Sequence, residues 1–155
     1  MQAALTTQKL SVHRFINPTA INDNATYTST AFDCNGSDGI WIIYTLGVTD
    51  IAMAVLKVQE SDTLTDATTL ASATDIPGAD FSVSPLTLPS ATADNTSVGV
   101  YIPFNGNRKR YINVLATNGN GSLGGYATCI GIYGKREVPN TAAERGLAQE
   151  AIVAG

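Results

Sequence analysis

Apolar and polar residues alternate along two stretches of the chain that lie far apart in the sequence. Within 52–62, Leu56 and Val58 fall on one side of an extended chain, and polar residues fall on the other. Within 110–117, Ile112 and every second residue after it show the same spacing. A period of two is typical of a β-strand with one buried face, so both stretches are predicted to be central strands of one domain.

Further strand-like stretches, rich in β-branched and aromatic residues, surround these two. They occupy 24–34, 40–48, 96–104 and 126–134, with a short strand at 80–84 and an edge strand or irregular connection at 64–75. Turn signals rich in Gly, Asn, Asp and Pro lie at 35–39, 76–79, 105–107 and 118–121. Nothing between the strands has a helical period. The pattern predicts an all-β fold, an antiparallel, jelly-roll-like β-sandwich of about eight strands.

The predicted strand at 40–48 is apolar on both of its faces. One face carries Ile40, Ile42, Tyr44 and Leu46. The opposite face carries Trp41 and Ile43. Antiparallel sheets commonly leave one polar face to solvent, so an apolar second face indicates that a partner covers it.

The two ends of the chain differ from the middle. Residues 1–23 scatter apolar side chains without a clean period, as in an arm that lies on its own domain or on a neighbouring subunit. Residues 24–135 form the predicted sandwich. In residues 136–155, Thr141 and Glu144 have the spacing of a capping box, so a short helix or an extended tail that orders on docking is expected.

The composition limits the kinds of partner. Hydrophobic residues make up 44% of the 155 residues and charged residues 14%, compared with about 25% charged residues in ordinary domains. A surface rich in Thr, Ser and Asn can be buried against a partner without desolvating many ions. The net charge of −4 gives no general attraction to nucleic acid or an anionic membrane.

The first residues lack the pattern of a secretory signal, so synthesis in a cytoplasm is expected. Cys34 and Cys129 are predicted to be buried thiols, not a disulfide.

Candidate catalytic and metal-binding patterns are sparse. The one histidine, His13, lies in the predicted arm, where a surface or packing role is expected. Residues 33–38 place oxygen ligands at alternate positions but lack the glycine and glutamate of a calcium loop, and 134–136 lack the residues of a phosphate loop. Turn-type carboxylates lie at Asp62, Asp66, Asp75 and Asp80. No catalytic residue, metal or cofactor is therefore predicted.

The strongest local charge cluster is Arg108, Lys109 and Arg110. In a chain with few charges this cluster can bind an acidic partner or a phosphate, or it can be the solvated start of a strand. The sequence leaves both interpretations open.

Three segments resemble small capsid cement or decoration proteins and related head proteins of tailed bacteriophages. They are 56–67 (LKVQESDTLTDA) with 75–79 (DIPGA), then 108–117 (RKRYINVLAT), and finally 142–150 (AAERGLAQE). The resemblance implies a non-enzymatic virion protein, made in the host cytoplasm, that binds and stabilises the lattice of a major capsid protein. It also implies self-association as a dimer or trimer on the capsid surface, without direct contact to nucleic acid or membrane.

The resemblance and the pattern of apolar residues together predict which residues contact partners. A subunit contact is expected at Trp41, Ile43, Tyr111 and Leu115. Contact with an acidic capsid surface is expected at Arg108, Lys109 and Arg110, and the two arms, including Arg145 and Leu147, are expected to reach neighbours. The alternative is a phage head or tail module that binds host-surface carbohydrate, with Tyr101, Tyr126 and Tyr133 as candidate stacking residues. An enzyme such as a glycan hydrolase is a third, weaker hypothesis.

Overall fold

The computed structural model describes residues 10–18, 26–119, 127–134 and 149–152 of the chain. These residues form ten β-strands and no helix. The strands are β1 (Leu10–Ile16), β2 (Thr26–Thr28), β3 (Phe32–Asp33), β4 (Gly39–Leu46), β5 (Val55–Ser61), β6 (Thr74–Asp80), β7 (Ser97–Pro103), β8 (Tyr111–Thr117), β9 (Ala127–Gly134) and β10 (Gln149–Ile152). With no helix in these ranges, none is long and apolar enough to cross a bilayer.

The strands are arranged in two sheets with the connectivity of a jelly roll. Sheet 1 has the order β1-β9-β4-β7-β10, and sheet 2 has the order β2-β8-β5-β6. Strand β3 also pairs with β8, beyond the end of β2, so the two short strands share one position in sheet 2. Apart from β10, which runs parallel to β7, all strands pair antiparallel. The predicted all-β sandwich is confirmed, and the jelly-roll order follows from these pairings.

The alternation of apolar residues places the core between the two sheets. On β4, the residues Ile40, Ile42, Tyr44 and Leu46 are all buried. They pack in one cluster with Leu56 and Val58 of β5, Val98, Val100 and Ile102 of β7, Ile112, Val114 and Ala116 of β8, and Cys129 of β9. The two stretches predicted to be central strands therefore lie side by side as β5 and β8, and their apolar faces form one wall of the core.

The turn predicted at 76–79 is wrong, because these residues lie inside β6. Lys57 of β5 pairs with Asp80, and Gln59 pairs with Asp75, so the extra residues of β6 form a bulge. Gly78 has a φ of 80° there. Because β6 is an edge strand, Pro77 removes no ladder hydrogen bond from the sheet interior. The short strand predicted at 80–84 is also wrong, since the chain turns after Asp80.

The predicted first strand at 24–34 is divided in two. Between β2 and β3 the chain leaves the regular ladder, but Ser29 keeps it attached to β8: its backbone N–H donates to the carbonyl of Val114 at 2.9 Å. The Ser29 hydroxyl in turn accepts a hydrogen bond from the Val114 backbone N–H at 2.8 Å. The division gives sheet 2 an interrupted edge.

Parts of both predicted arms belong to sheet 1. Leu10–Ile16, within the expected N-terminal arm, lies on its own domain as the edge strand β1. Gln149–Ile152, within the expected C-terminal arm, is extended rather than helical and pairs with β7. Apart from Asn17 and Pro18, which follow β1, the remaining residues of both arms, including Arg145 and Leu147, lie outside the described residues.

Candidate functional site

The outer face of sheet 1 carries a row of apolar side chains that crosses four strands. The register pairs Val12 of β1 with Ile132 of β9, Ile132 with Trp41 of β4, and Trp41 with Tyr101 of β7. Residues paired in this way lie side by side on one face of a sheet. We call the surface formed by Val12, Trp41, Ile43, Tyr101, Ile130 and Ile132 the apolar face.

A second row runs beside the first. Arg14 pairs with Ile130, Ile130 with Ile43, and Ile43 with Gly99. Among the described side chains on this outer face, Arg14 is the one that carries a charge. Two adjacent rows of mostly aliphatic and aromatic residues make the surface much less polar than the outer side of an ordinary antiparallel sheet.

The apolar face is accessible to different degrees across its width. Val12 is 66% exposed on the edge strand. Ile43, Ile130 and Ile132, on the inner strands, are half-buried. At the other side of the face, the rings of Trp41 and Tyr101 lie 5.3 Å apart and are tilted by 42°. Aromatic rings in such contact form a rigid surface that loses little conformational entropy when a partner binds.

The outer face of sheet 2 has the opposite character. Lys57 Nζ lies 2.8 Å from Asp75 Oδ2, and Gln59 Nε2 donates to the other oxygen of the same carboxylate at 2.8 Å. These hydrogen bonds hold the pKa of Asp75 below its ordinary value. The connection 62–73 contains a single bridge, between Leu64 and Leu70. Of the stretch 64–75, predicted to be an edge strand or an irregular connection, Thr74 and Asp75 begin the edge strand β6.

This connection reaches across sheet 2 from β5 to its interrupted edge. The backbone N–H of Ala31 donates to the carbonyl of Thr68 at 2.8 Å. Because Ala31 follows β2 on the far side of β8, the connection must pass over the outer side of the sheet, since the inner side is filled by the core. Asn113, which points outward from β8, is accordingly buried. Sheet 2 is thus partly covered by its own chain around Asn113, whereas sheet 1 presents apolar side chains.

The four residues nominated for one subunit contact lie on two surfaces. Trp41 and Ile43 belong to the apolar face of sheet 1. Tyr111 and Leu115 are half-buried on the outer side of sheet 2, because Ile112 and Val114 between them point into the core. One flat contact cannot include all four, so the apolar face is the stronger candidate.

The three cations of the charge cluster point in different directions. Arg108 Nη1 lies 3.5 Å from Glu60 Oε2, and both side chains are largely buried, with 11% and 9% exposed. Lys109 Nζ donates to Thr74 Oγ1 at 2.9 Å. Arg110 forms a bidentate pair with Asp33, its shortest distance being 2.8 Å. The cluster is therefore not a free basic patch.

Electrostatics at Arg110 are those of a surface pair. The hydrogen bonds from the guanidinium hold the pKa of Asp33 below its ordinary range. The guanidinium carbon also lies 4.9 Å from the centre of the Tyr111 ring. Both partners are about half exposed, so the pair contributes little to stability.

An open cleft of about 510 Å³ lies at the end of the sandwich where the three cations precede β8. One wall is the turn from Cys34 to Ser37, and the other is the 104–106 turn with Arg108, Lys109 and Arg110. Asp62 closes one side. The carboxylate of Asp62 accepts a hydrogen bond from the backbone N–H of Arg110 at 3.2 Å. This cleft has no direct signal in the sequence, because its walls come from loops separated by about 70 residues of chain.

Residues with possible catalytic or metal chemistry have packing and turn roles. The His13 ring contacts Phe15 at 4.7 Å and Phe32 at 5.1 Å between centroids, and burial lowers its pKa. Asp66 accepts hydrogen bonds from the backbone N–H groups of Thr68 and Thr69. Within the described ranges, no three His, Cys, Asp or Glu side chains lie close enough together to hold a metal ion.

The two cysteines are free and buried, as the sequence predicts. Burial raises the pKa of the Cys34 thiol to about 12. Burial also raises the pKa of Cys129, which lies between the sheets. Both thiols are therefore protonated and act as small apolar side chains.

The tyrosines nominated for sugar stacking do not share a surface. Tyr101 lies on the apolar face, but Tyr133 packs against the core, with its ring 4.9 Å from that of Phe32. Tyr126 lies outside the described residues.

Comparison with protein-family models gives no match, and comparison with curated proteins gives none either. The resemblance to phage head proteins consequently stays a prediction from the three segments named above. The fold and the apolar face are the observations on which a functional proposal can be built.

Proposed function

We propose that this chain is a non-enzymatic structural protein of a virion, which binds the lattice of a major capsid protein and stabilises it as a cement protein. The observation that carries the proposal is the apolar face of sheet 1. We infer that subunits associate with one another through this face, as a dimer or trimer, on the capsid surface.

The energetics of the face favour a protein partner. Burying a valine or isoleucine side chain contributes about 1.5–3 kcal/mol. Val12 is the most exposed of the large apolar residues that the structure describes, and its neighbours Ile132, Ile130 and Ile43 are half-buried. A contact that covers these side chains gains several such contributions and, among the side chains that the structure describes on this face, desolvates one charge, that of Arg14. A polar ligand such as nucleic acid would not bury these side chains and so would not gain this free energy.

Self-association would also explain how moderate contacts hold a particle together. Each copy in an oligomer brings its own capsid-binding surface. Once one copy is bound, the others bind at a high effective concentration, so the oligomer binds far more tightly than a single subunit. The jelly-roll order supports a binding role in general, because this architecture occurs in viral capsid and lectin domains, but the architecture alone does not distinguish the two.

The test uses two valines of similar exposure. Val12 is 66% exposed on the apolar face, and Val83 is 59% exposed in the loop after β6 of sheet 2. Val12→Lys places a charge in the proposed contact, whereas Val83→Lys places the same charge outside it. We expect Val12→Lys to lower the oligomer mass measured by light scattering and to weaken binding to phage heads that lack the protein. Val83→Lys should behave like the wild type. Unchanged mass and binding of Val12→Lys would contradict the proposal.

The carbohydrate-binding alternative is favoured by one observation, the contact between Trp41 and Tyr101. Two aromatic rings on one sheet face can stack on the apolar side of a sugar. A glycan screen with the wild type and Trp41→Ala tests it: sugar binding that depends on Trp41 would favour this alternative over the cement role.

A further inference from the structure

The Arg108 side chain is held in an unusual state. Its Nε and Nη1 atoms are buried, and no group in the described part of the chain accepts a hydrogen bond from either. Its ion pair with Glu60 is long, at 3.5 Å. Buried guanidinium groups ordinarily use their donors, because an unsatisfied N–H gives up its hydration without compensation.

The carboxylate of Glu60 accepts no hydrogen bond from the Nε or Nη1 atom of Arg108. Its Oε2 atom already accepts a hydrogen bond from the backbone N–H of Lys109 at 3.3 Å. By contrast, Arg110, two residues further on, makes a bidentate pair with Asp33. Arg108 is thus the cation of the cluster whose buried donors lack an acceptor among the described residues, and it lines the open cleft between the 34–37 and 104–106 turns.

We propose that this cleft binds a single carboxylate, presented by an acidic side chain in a peptide segment of a neighbouring protein, and that Arg108 is the residue that receives it. The planar guanidinium suits bidentate recognition of a carboxylate. The cleft volume of about 510 Å³ is in the range of pockets that accept small molecules or side chains.

The charges around the cleft favour one carboxylate over a polyanion. Asp62 lines the same cleft, and Glu60 lies beside Arg108. These carboxylates and the net charge of −4 would repel a phosphate chain. A neutral peptide with one acidic residue can instead use Arg108 and the amide and hydroxyl groups of Asn35, Ser37 and Asn105. This contact is independent of the apolar face, so either can fail while the other stands.

The experiment is a titration of the full-length, ¹⁵N-labelled protein followed by NMR. The probes are the capped tripeptide Ac-Gly-Glu-Gly-NH₂, its uncharged match Ac-Gly-Gln-Gly-NH₂, and inorganic phosphate. We expect saturable shifts of the Arg108 Nε–H signal and of the backbone N–H signals of Gly36 and Gly106 with the Glu peptide. The Gln peptide should give at least tenfold weaker binding.

Two variants test the role of Arg108 itself. Arg108→Lys keeps the charge but loses the planar donor pair, and we expect at least tenfold weaker binding of the Glu peptide. Arg110→Lys is the matched control from the same cleft and should change binding less than twofold. Loss of Arg108 alone leaves the buried Glu60 without its partner and could unfold the protein. The double variant Glu60→Gln/Arg108→Gln therefore removes both charges. It should fold but should not bind the Glu peptide. Equal shifts with both peptides, tighter binding of phosphate, or equal effects of the two lysine variants would overturn the proposal.

Discussion

Two adjacent isoleucines on β4 should respond very differently to the same mutation. Ile42 faces the core and is 3% exposed, whereas Ile43 faces outward on the apolar face and is half-buried. Truncation of either to alanine removes about three carbon atoms, worth about 2.4 kcal/mol when fully buried. At Ile42 a cavity adds to this loss, so Ile42→Ala should lower the free energy of unfolding by about 3–4 kcal/mol. At Ile43 about half of the loss applies and no enclosed cavity forms, so Ile43→Ala should cost about 1 kcal/mol.

The assay is urea unfolding at a protein concentration low enough to keep the subunits dissociated, with extrapolation to zero denaturant. For a chain of this size the midpoint of thermal unfolding should fall by about 6–16 °C for Ile42→Ala and by about 2–4 °C for Ile43→Ala. The effects on self-association should have the opposite order. At high protein concentration, Ile43→Ala should weaken the oligomer more than Ile42→Ala does, because Ile43 contributes to the subunit contact. Equal costs for the two variants in the dissociated state would refute the assignment of inner and outer faces.

Two further predictions follow from buried groups. Because burial lowers the pKa of His13, the unfolded chain binds its proton more readily, so stability should fall as the pH drops below 6.5, the ordinary pKa of histidine. His13→Phe should flatten this dependence in urea titrations between pH 7 and pH 5, and an unchanged slope would contradict the role given to burial. The high pKa of Cys34, about 12, and the raised pKa of Cys129 predict that iodoacetamide at pH 8 alkylates the native protein much more slowly than the protein in urea, as mass spectrometry would measure. Equal rates in the two conditions would show that the thiols are accessible.

The period-two pattern predicted the sandwich because each strand of the core has one uniformly apolar face. In the last strand, the same period puts Thr128, Ile130 and Ile132 on one face, and the register shows that this is the outer face of sheet 1. The pattern could not show which face of a strand points inward, since β4 and β9 are apolar on both faces. That choice depends on which strands become neighbours.

Local signals failed where tertiary structure overrode them. Pro77 and Gly78 have the composition of a turn, but the edge position of β6 tolerates them as a bulge. The alternating residues of β1 are interrupted at Phe15 by a register shift that turns both Phe15 and Ile16 inward, so the segment lacked a clean period. The sequence therefore places Val12 only in an arm that lies on its own domain or reaches a neighbour, and not on one surface with Trp41 and Ile43.

The charge cluster shows a different limit of sequence reasoning. Three consecutive cations left a partner-binding cluster and a solvated strand start both open, but Arg108 and Arg110 pair with Glu60 and Asp33 from distant strands. Ion pairs of this kind depend on the fold and carry no sequence signal. The orphaned donors of Arg108 become visible only when the position of Glu60 is known.

The most direct test of the central claim is the mass of the purified protein by light scattering, first alone and then mixed with phage heads that lack it. The account predicts a stable dimer or trimer that sediments with the heads. A monomer that stays in the supernatant would contradict both the subunit contact through the apolar face and the cement role.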